Sequence, residues 1–319
     1  MNMPRIELNP GLSLSRLAYG VWRLSEAADT SAQAVAGRIQ ACLDQGITTF
    51  DHADIYGGYS CEALFGAALR AQPGLKARME IVTKCDIMLL SDQRPDNRVK
   101  HYDTSAAHVQ ASVERSLHNI GVDAIDLLLI HRPDPLMDHH ALGACLDSLI
   151  QSGKVRAAGV SNFMPWDMDL LQSAMKNRLV SNQIEISLMQ TRGFVDGQIA
   201  HAQRLGVPVM AWSPLGGGRL FGQDAAALRL RPALQRLASA QGVDETAVAI
   251  AWLLHRGEHI IPIPGTTSLS HLAEDLEAAN VRLDAATMAK LDALINQNTV
   301  AGNRYSAQAN SEVDTEVFG

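Results

Sequence analysis

Ile81-Val-Thr-Lys84-Cys85 is a short apolar run that closes on a lysine. A run of this kind reads as a buried strand, and a lysine at its end needs a partner for its charge. Upstream, Thr48-Thr-Phe-Asp51 ends another such run, and the chain continues through His52-Ala-Asp-Ile to Tyr56. Downstream, Ile125-Asp-Leu-Leu-Leu-Ile-His131 ends a third. Asp51, Tyr56, Lys84 and His131 each close an apolar run or lie just past one. In a barrel of parallel strands, those ends gather on one face.

The same alternation extends in both directions. Strands are predicted near Arg16–Gly20, Thr48–Asp51, Ile81–Lys84, Ile125–His131, Ala157–Ser161, Asn182–Ile186, Pro208–Ser213 and Ile260–Pro262. Helical patterns follow at Ala32–Gln45, Cys61–Arg70, Ser105–Asn119, Leu142–Gln151, Trp166–Lys176, Gln198–Leu205, Glu245–His255 and Leu269–Ala278. Ser105 is placed to cap a helix, while Gly121 and Gly153 follow helix ends where a left-handed residue is wanted. Eight strands that each precede a helix predict an α/β fold, a (β/α)8 TIM barrel, which typically needs about 250 residues. A doubly wound sheet would want GxGxxG after its first strand, and Gly20-Val-Trp-Arg cannot serve. Asp86–Asp103 and Pro214–Arg231 exceed ordinary connections and read as long functional loops at the C-terminal face. The whole chain, 1–319, reads as a single domain, with residues 297–319 a polar tail that is either disordered or laid over the pocket.

Of the 319 residues, 47% are hydrophobic and 19% charged, which suits a globular enzyme with a substantial core. A formal charge of −7 argues against a nucleic-acid surface, and the basic residues of Arg94–Lys100 are interrupted by Asp and Pro. Cys42, Cys61, Cys85 and Cys145 lie far apart, without the paired spacing of a zinc site, so no metal is expected and the thiols are expected reduced. No apolar run reaches the roughly 20 residues that span a bilayer. The expectation is a cytoplasmic protein without membrane or nucleic-acid partners, a monomer or weak homo-oligomer.

The strand-end residues make a proton-handling set. Lowering the phenol of Tyr56 by two units from its usual pKa near 10 requires about 2.7 kcal/mol. A lysine ammonium at about 4 Å supplies on the order of 4 kcal/mol at an effective dielectric near 20. Lys84 is therefore expected to lower the Tyr56 pKa, Asp51 to keep Lys84 charged, and His131 to hydrogen-bond the reacting oxygen. Singly, each has a plainer reading: a structural ion pair, a packed tyrosine, a core histidine. In this order at successive strand ends they suit a carbonyl–alcohol interconversion.

Gly46-Ile-Thr-Thr-Phe-Asp51-His-Ala-Asp-Ile-Tyr56-Gly57, followed by Cys61-Glu-Ala-Leu-Phe-Gly66, resembles the signature of the aldo-keto reductase family. The resemblance runs from Gly20-Val-Trp22 to Leu276, and His131-Arg-Pro-Asp-Pro-Leu-Met-Asp138 is similar to a bacterial branch. It implies a (β/α)8 barrel with a catalytic tetrad of Asp51, Tyr56, Lys84 and His131. It also implies an NADPH (NADP+) cofactor whose carboxamide is held by Ser161, Asn162 and Gln183 and whose ring stacks on Trp212. Ser213, Leu215, Gly217 and Arg219 suit the pyrophosphate, and Gly265, Thr266, Thr267 and Ser268 the 2′-phosphate. Glu274 and Asp275 fall where adenine is met. Hydride would then pass from nicotinamide C4 to an aldehyde or ketone carbon while Tyr56 protonates the oxygen.

The pattern departs at His271, which stands where an arginine is expected to grip the 2′-phosphate; a neutral imidazole cannot replace that fork, so use of NADH is also expected. Trp22 should line the substrate pocket. Arg132, beside His131, either favours polar or anionic carbonyl substrates or pairs with Asp134 or Asp138. A redox-sensing regulatory subunit with little turnover is the alternative function, and a metal-dependent hydrolase a third, without the HxH or HExxH it would want.

Overall fold

Eight parallel strands in the order β3, β4, β5, β8, β9, β10, β11, β12 build the molecule in the computed structural model, which describes residues 3–295. They are β3 (Ala18–Gly20), β4 (Thr49–Asp51), β5 (Glu80–Cys85), β8 (Ile125–Ile130), β9 (Val155–Ser161), β10 (Leu179–Glu185), β11 (Val209–Trp212) and β12 (Ile260–Ile263). The first and last meet where the Gly20 N–H donates to the Pro264 carbonyl at 2.8 Å, which brings the sheet round to a nearly closed barrel. An antiparallel hairpin of β1 (Arg5–Asn9) and β2 (Leu12–Ser15) precedes the barrel, and a small one of β6 (Ile87–Met88) and β7 (His101–Tyr102) sits in the connection after β5. The expected Asp86–Asp103 loop thus carries a hairpin of its own.

Helices alternate with the strands: α1 (Ala32–Asp44), the single turn α2 (Tyr56–Tyr59), α3 (Cys61–Ala71), α4 (Ala106–Ile120), α5 (His139–Gln151), α6 (Pro165–Ser173) and α7 (Gln198–Leu205). They continue as α8 (Ala225–Gln241), α9 (Glu245–Arg256), α10 (Leu269–Leu276) and α11 (Ala285–Ile295). Ser105 caps α4 by accepting the His108 N–H, and Gly121 closes it at φ 81, as its sequence predicts. Three helices lie outside the predicted segments, the single turn α2 among them. The expected loop Pro214–Arg231 turns helical at Ala225, where α8 begins and runs on through Pro232, and α11 follows the last predicted helix. The polar tail lies outside the described residues.

The strands alternate between two apolar clusters, as parallel strands buried on both faces must. Val82, Leu127, Leu129, Met210, Ile261 and Ile263 fill the interior, closed below by Ile6, Leu8, Leu12 and Leu14 of the β1–β2 hairpin. Ile81, Cys85, Ile125, Leu128, Ile130 and Val209 face the helices. Parity then places Lys84, two residues after Val82, inside the barrel. In β10 the register shifts between Leu179 and Asn182. A bulge of this kind lets Val180 and Gln183, three apart, both face inward. Among the described residues no helix is long and apolar enough to cross a membrane.

Candidate active site

Lys84 is buried with its side chain at 0% exposure, and its ammonium spends all three donors. It gives one to Asp51 Oδ2 at 2.7 Å, one to the His52 carbonyl at 2.7 Å and one to the Tyr56 hydroxyl oxygen at 3.0 Å. The Gln183 side-chain amide donates to the other Asp51 oxygen at 2.8 Å, so both carboxylate oxygens are held. Burial pulls the Lys84 pKa down, but Asp51 and then Tyr56 pull it up by more, and the net direction is upward. The ammonium stays charged. A buried pair of this kind persists because its hydrogen bonds are complete.

The phenol behaves differently from expectation. Burial raises the Tyr56 pKa, Lys84 lowers it, Asp51 raises it again, and the net shift is upward rather than downward. Desolvation of the phenolate, with the Asp51 carboxylate behind the lysine, outweighs the attraction of Lys84. Lys84 therefore limits the rise and does not make a resting phenolate. Because the phenol oxygen accepts from Lys84, its own hydrogen is left to point elsewhere.

His131 lies across from Tyr56, with ring centroids 6.1 Å apart and planes at 79°. Burial and the neighbouring Lys84 push its pKa well below the usual range, so the imidazole is neutral. His52 does not share that face. Its ring is fully buried edge-on against Phe65 at 4.5 Å, and burial, reinforced by Lys84, takes its pKa down to about 3. Only its carbonyl serves the site. Tyr59 is likewise turned away, its hydroxyl accepting the Leu89 N–H at 2.9 Å.

Around this centre the strand ends of β9, β10 and β11 are linked. Ser161 Oγ donates to the Gln183 carbonyl at 2.9 Å, Asn162 Nδ2 to Ser161 Oγ at 2.8 Å, and Trp212 Nε1 to Asn162 Oδ1 at 3.1 Å. Asn162 and Ser213 hold φ of 60 and 50, the left-handed backbone that non-glycine residues adopt at sites where the surroundings dictate it. Beyond Trp212, Leu215 leads into Gly216–Phe221, a tight 3-10 segment in which Gly217 and Gly218 have φ of 66 and 96 and Arg219 pairs with Glu185 at 3.5 Å. A Cβ at Gly218 would meet nothing within 4 Å, so the segment has open space on that side, while the Gly218 N–H donates to the Leu215 carbonyl at 3.2 Å.

The far segment hangs from the barrel seam. Tyr19 donates to the Thr266 carbonyl at 2.6 Å and Arg38 to the Thr267 carbonyl at 3.2 Å, while Gly265 packs against Gly20. Ser268 caps α10 by accepting the His271 N–H, and the His271 side chain is exposed. Glu274 is half-buried, but Asp275 is 3% exposed, and burial takes its pKa to about 7. Asp275 therefore faces the core, which corrects its assignment to adenine.

At the mouth, Trp22 is 52% exposed with the Arg23 guanidinium 5.3 Å from its ring centroid. Arg132 does not pair with Asp134 or Asp138. Asp134 accepts from Thr104 Oγ1 and the Leu136 N–H, and Asp138 caps α5 through the Ala141 N–H. The guanidinium instead lies 6.0 Å from the Trp212 ring centroid. Asp86, which the sequence marks only as the start of a loop, donates no charge to that arginine but accepts its backbone N–H at 3.0 Å.

The family description "Aldo/keto reductase family" matches residues 16–296. The chain belongs to the aldo/keto reductase family. It is 53% identical to a 6-dehydroglucose reductase of Agrobacterium fabrum strain C58, over 94% of this chain and 100% of that protein. It is 44% identical to the oxidoreductase YdhF of Escherichia coli K12, over 88% of this chain and 93% of that one. The crystal structure of the thermostable aldo-keto reductase Tm1743, in complex with the inhibitor epalrestat, superposes with a TM-score of 0.77 at 25% identity, covering 92% of this chain and all of that chain. An aldo-keto reductase is an oxidoreductase of carbonyl groups, and the family generally binds nicotinamide cofactors; the (β/α)8 barrel follows from the same comparisons.

Proposed function

We propose that this aldo-keto reductase reduces an oxygen-rich aldehyde or ketone with NADPH, Tyr56 delivering the proton. The carrying observation is the bond from the Lys84 ammonium to the Tyr56 hydroxyl oxygen at 3.0 Å, which leaves the phenol hydrogen free for a substrate oxygen. Ser161, Asn162 and Gln183 would hold the nicotinamide, Trp212 would stack on it, and Ser213, Leu215, Gly217 and Arg219 would take the pyrophosphate. The open space beside Gly218 and the left-handed turns at Asn162 and Ser213 fit such a group. When bound, the cofactor supplies hydride for the carbonyl carbon.

The residues of the chain do the rest. Tyr56 stays protonated at rest because burial outweighs Lys84. As charge develops on the carbonyl oxygen, its proton transfers and leaves phenolate beside an ammonium that is already in place. That fixed charge stabilises the transition state without reorganisation. His131, neutral, offers its N–H to the same oxygen. Gly265, Thr266, Thr267 and Ser268 would receive a 2′-phosphate at the N-terminus of α10, with the exposed His271 adding a charge only when protonated. The substrate class follows from Arg132, whose fork has no carboxylate partner among the described residues. It is consistent with the relative named 6-dehydroglucose reductase, a sugar carbonyl.

The test is a Tyr56→Phe variant assayed by cofactor oxidation over an aldehyde panel, with NADPH and with NADH. Expected is a fall in kcat of about 10²–10⁴-fold, the usual worth of a general acid, with cofactor affinity unchanged. Wild-type-like turnover in the variant would reject the assignment, and a lower Kd for NADH than for NADPH would reject the cofactor.

A further inference from the structure

Asp86 is the first residue after β5 and holds a φ of 106, a strained value for any residue but glycine. Its side chain is also fully buried, at 0% exposure. A carboxyl there bears both strain and desolvation. Its contacts show what it does. The Cys85 carbonyl accepts the His131 N–H at 3.0 Å, and Asp86 Oδ2 accepts the next N–H, that of Arg132, at 3.0 Å. The β5–β8 ladder thus runs one rung past its last strand pair, with a side-chain oxygen in place of a carbonyl. In the other direction, the Asp86 carbonyl accepts the Asp103 N–H at 2.8 Å and closes the base of the connecting segment.

We propose that Asp86 is a positioning residue that fixes the peptide between His131 and Arg132, and with it the aim of the imidazole and the guanidinium. The proposal rests on the carbonyl-reductase reading of those two side chains. Among the described residues the Arg132 N–H has no other acceptor; the carbonyl of the same peptide, that of His131, accepts from Asn162 Nδ2 at 3.3 Å, and Asp134 and Asp138 are engaged by other groups. Burial pushes the Asp86 carboxyl well above the usual range, opposed by the Arg132 N–H and reinforced by Asp54. A neutral acid and an asparagine amide are close in shape, and both present an oxygen to the Arg132 N–H.

Glycine, alanine and asparagine at this position separate strain from positioning. Asp86→Gly removes both the strain and the acceptor, Asp86→Ala removes the acceptor alone and should show the same kinetic loss, and Asp86→Asn keeps both. The measurements are the melting temperature, NADPH affinity by tryptophan quenching, and kcat and KM for glyceraldehyde and for benzaldehyde. Asp86→Gly is expected to melt above wild type and to bind NADPH normally. It should also lose roughly tenfold in kcat on both aldehydes, the scale of a modest misplacement. KM should rise for glyceraldehyde, whose hydroxyls Arg132 would meet, and not for benzaldehyde. Asp86→Asn should stay within about twofold of wild type throughout. Unchanged kinetics in Asp86→Gly would overturn the positioning role, and an Asp86→Asn variant as impaired as glycine would overturn the acceptor role. Failure of the wild type to oxidise NADPH with any aldehyde would instead bring down the carbonyl-reductase reading, and this proposal with it.

Discussion

At the residue scale, the site is a set of buried titratable groups whose protonation is decided by what stands behind them. Lys84 is kept charged by Asp51. One residue outside the proposed chemistry, Asp54, reports on the same burial. It is buried, accepts from Ser112 Oγ at 2.6 Å, and has an oxygen, Oδ1, without a partner. Burial raises its pKa to about 7, against a contrary pull from Ser112 and a further rise from Glu62. The folded value lies above the unfolded one near 3.8. The folded state therefore binds more protons in between, and this residue's contribution to stability is complete below about pH 4 and lost as pH rises through 7. The slope approaches about 1.4 kcal/mol per pH unit for one proton. Asp54→Asn cannot ionise and still offers Ser112 an oxygen. Its melting temperature relative to wild type should climb between pH 4 and pH 7 and then level off. The titrations of His52 and His131 are common to both proteins and cancel in that difference. A difference that stays flat across the range would show that Asp54 ionises as readily in the folded protein as in the unfolded chain, and that burial does not raise its pKa.

At the element scale, α3 and the end of α4 show how tightly the outer ring is fitted. A Cβ on Gly66 of α3 would lie 1.9 Å from the Asn119 carbonyl oxygen and 2.9 Å from that of Ile120. Those are the terminal carbonyls of α4, which have no helical partners to draw them away. Gly66→Ala should force the two helices apart and cost about 2–3 kcal/mol, the upper range for overpacking. Urea denaturation would measure it, and a variant within 0.5 kcal/mol of wild type, roughly the effect of a surface change, would mean that the helices yield freely. This level also marks what sequence could and could not convey. The eight strands are legible because buried parallel strands are short apolar runs, and the tetrad because each member ends or follows such a run. Helix α8 was not, since Pro232 and the arginines around it interrupt the apolar period that announces a helix. The inward aim of Gln183 depends on a register shift in β10, which follows from sheet geometry and not from residue type. The direction of the Tyr56 shift required knowing how deeply it is buried, and the role of Asp86 required its φ.

At the scale of the whole molecule, the proposed cofactor site is spread around the ring of strands, and its phosphate end is attached to the place where the ring closes. Tyr19, Arg38 and Gly20 on one side reach Thr266, Thr267 and Pro264 on the other. A ligand that binds only the folded state adds RT ln(1 + [L]/Kd), about 2.7 kcal/mol at a hundredfold excess over Kd. Here that energy would fall on both sides of the closure. The Gly20 N–H, bonded to Pro264, is then more than a structural rung. It is a clock: its exchange with heavy water records how often the barrel parts at its join. Saturating NADPH should slow that clock more than it slows amides in β8, on the opposite side of the ring. Equal slowing of both would mean that the barrel opens as one body.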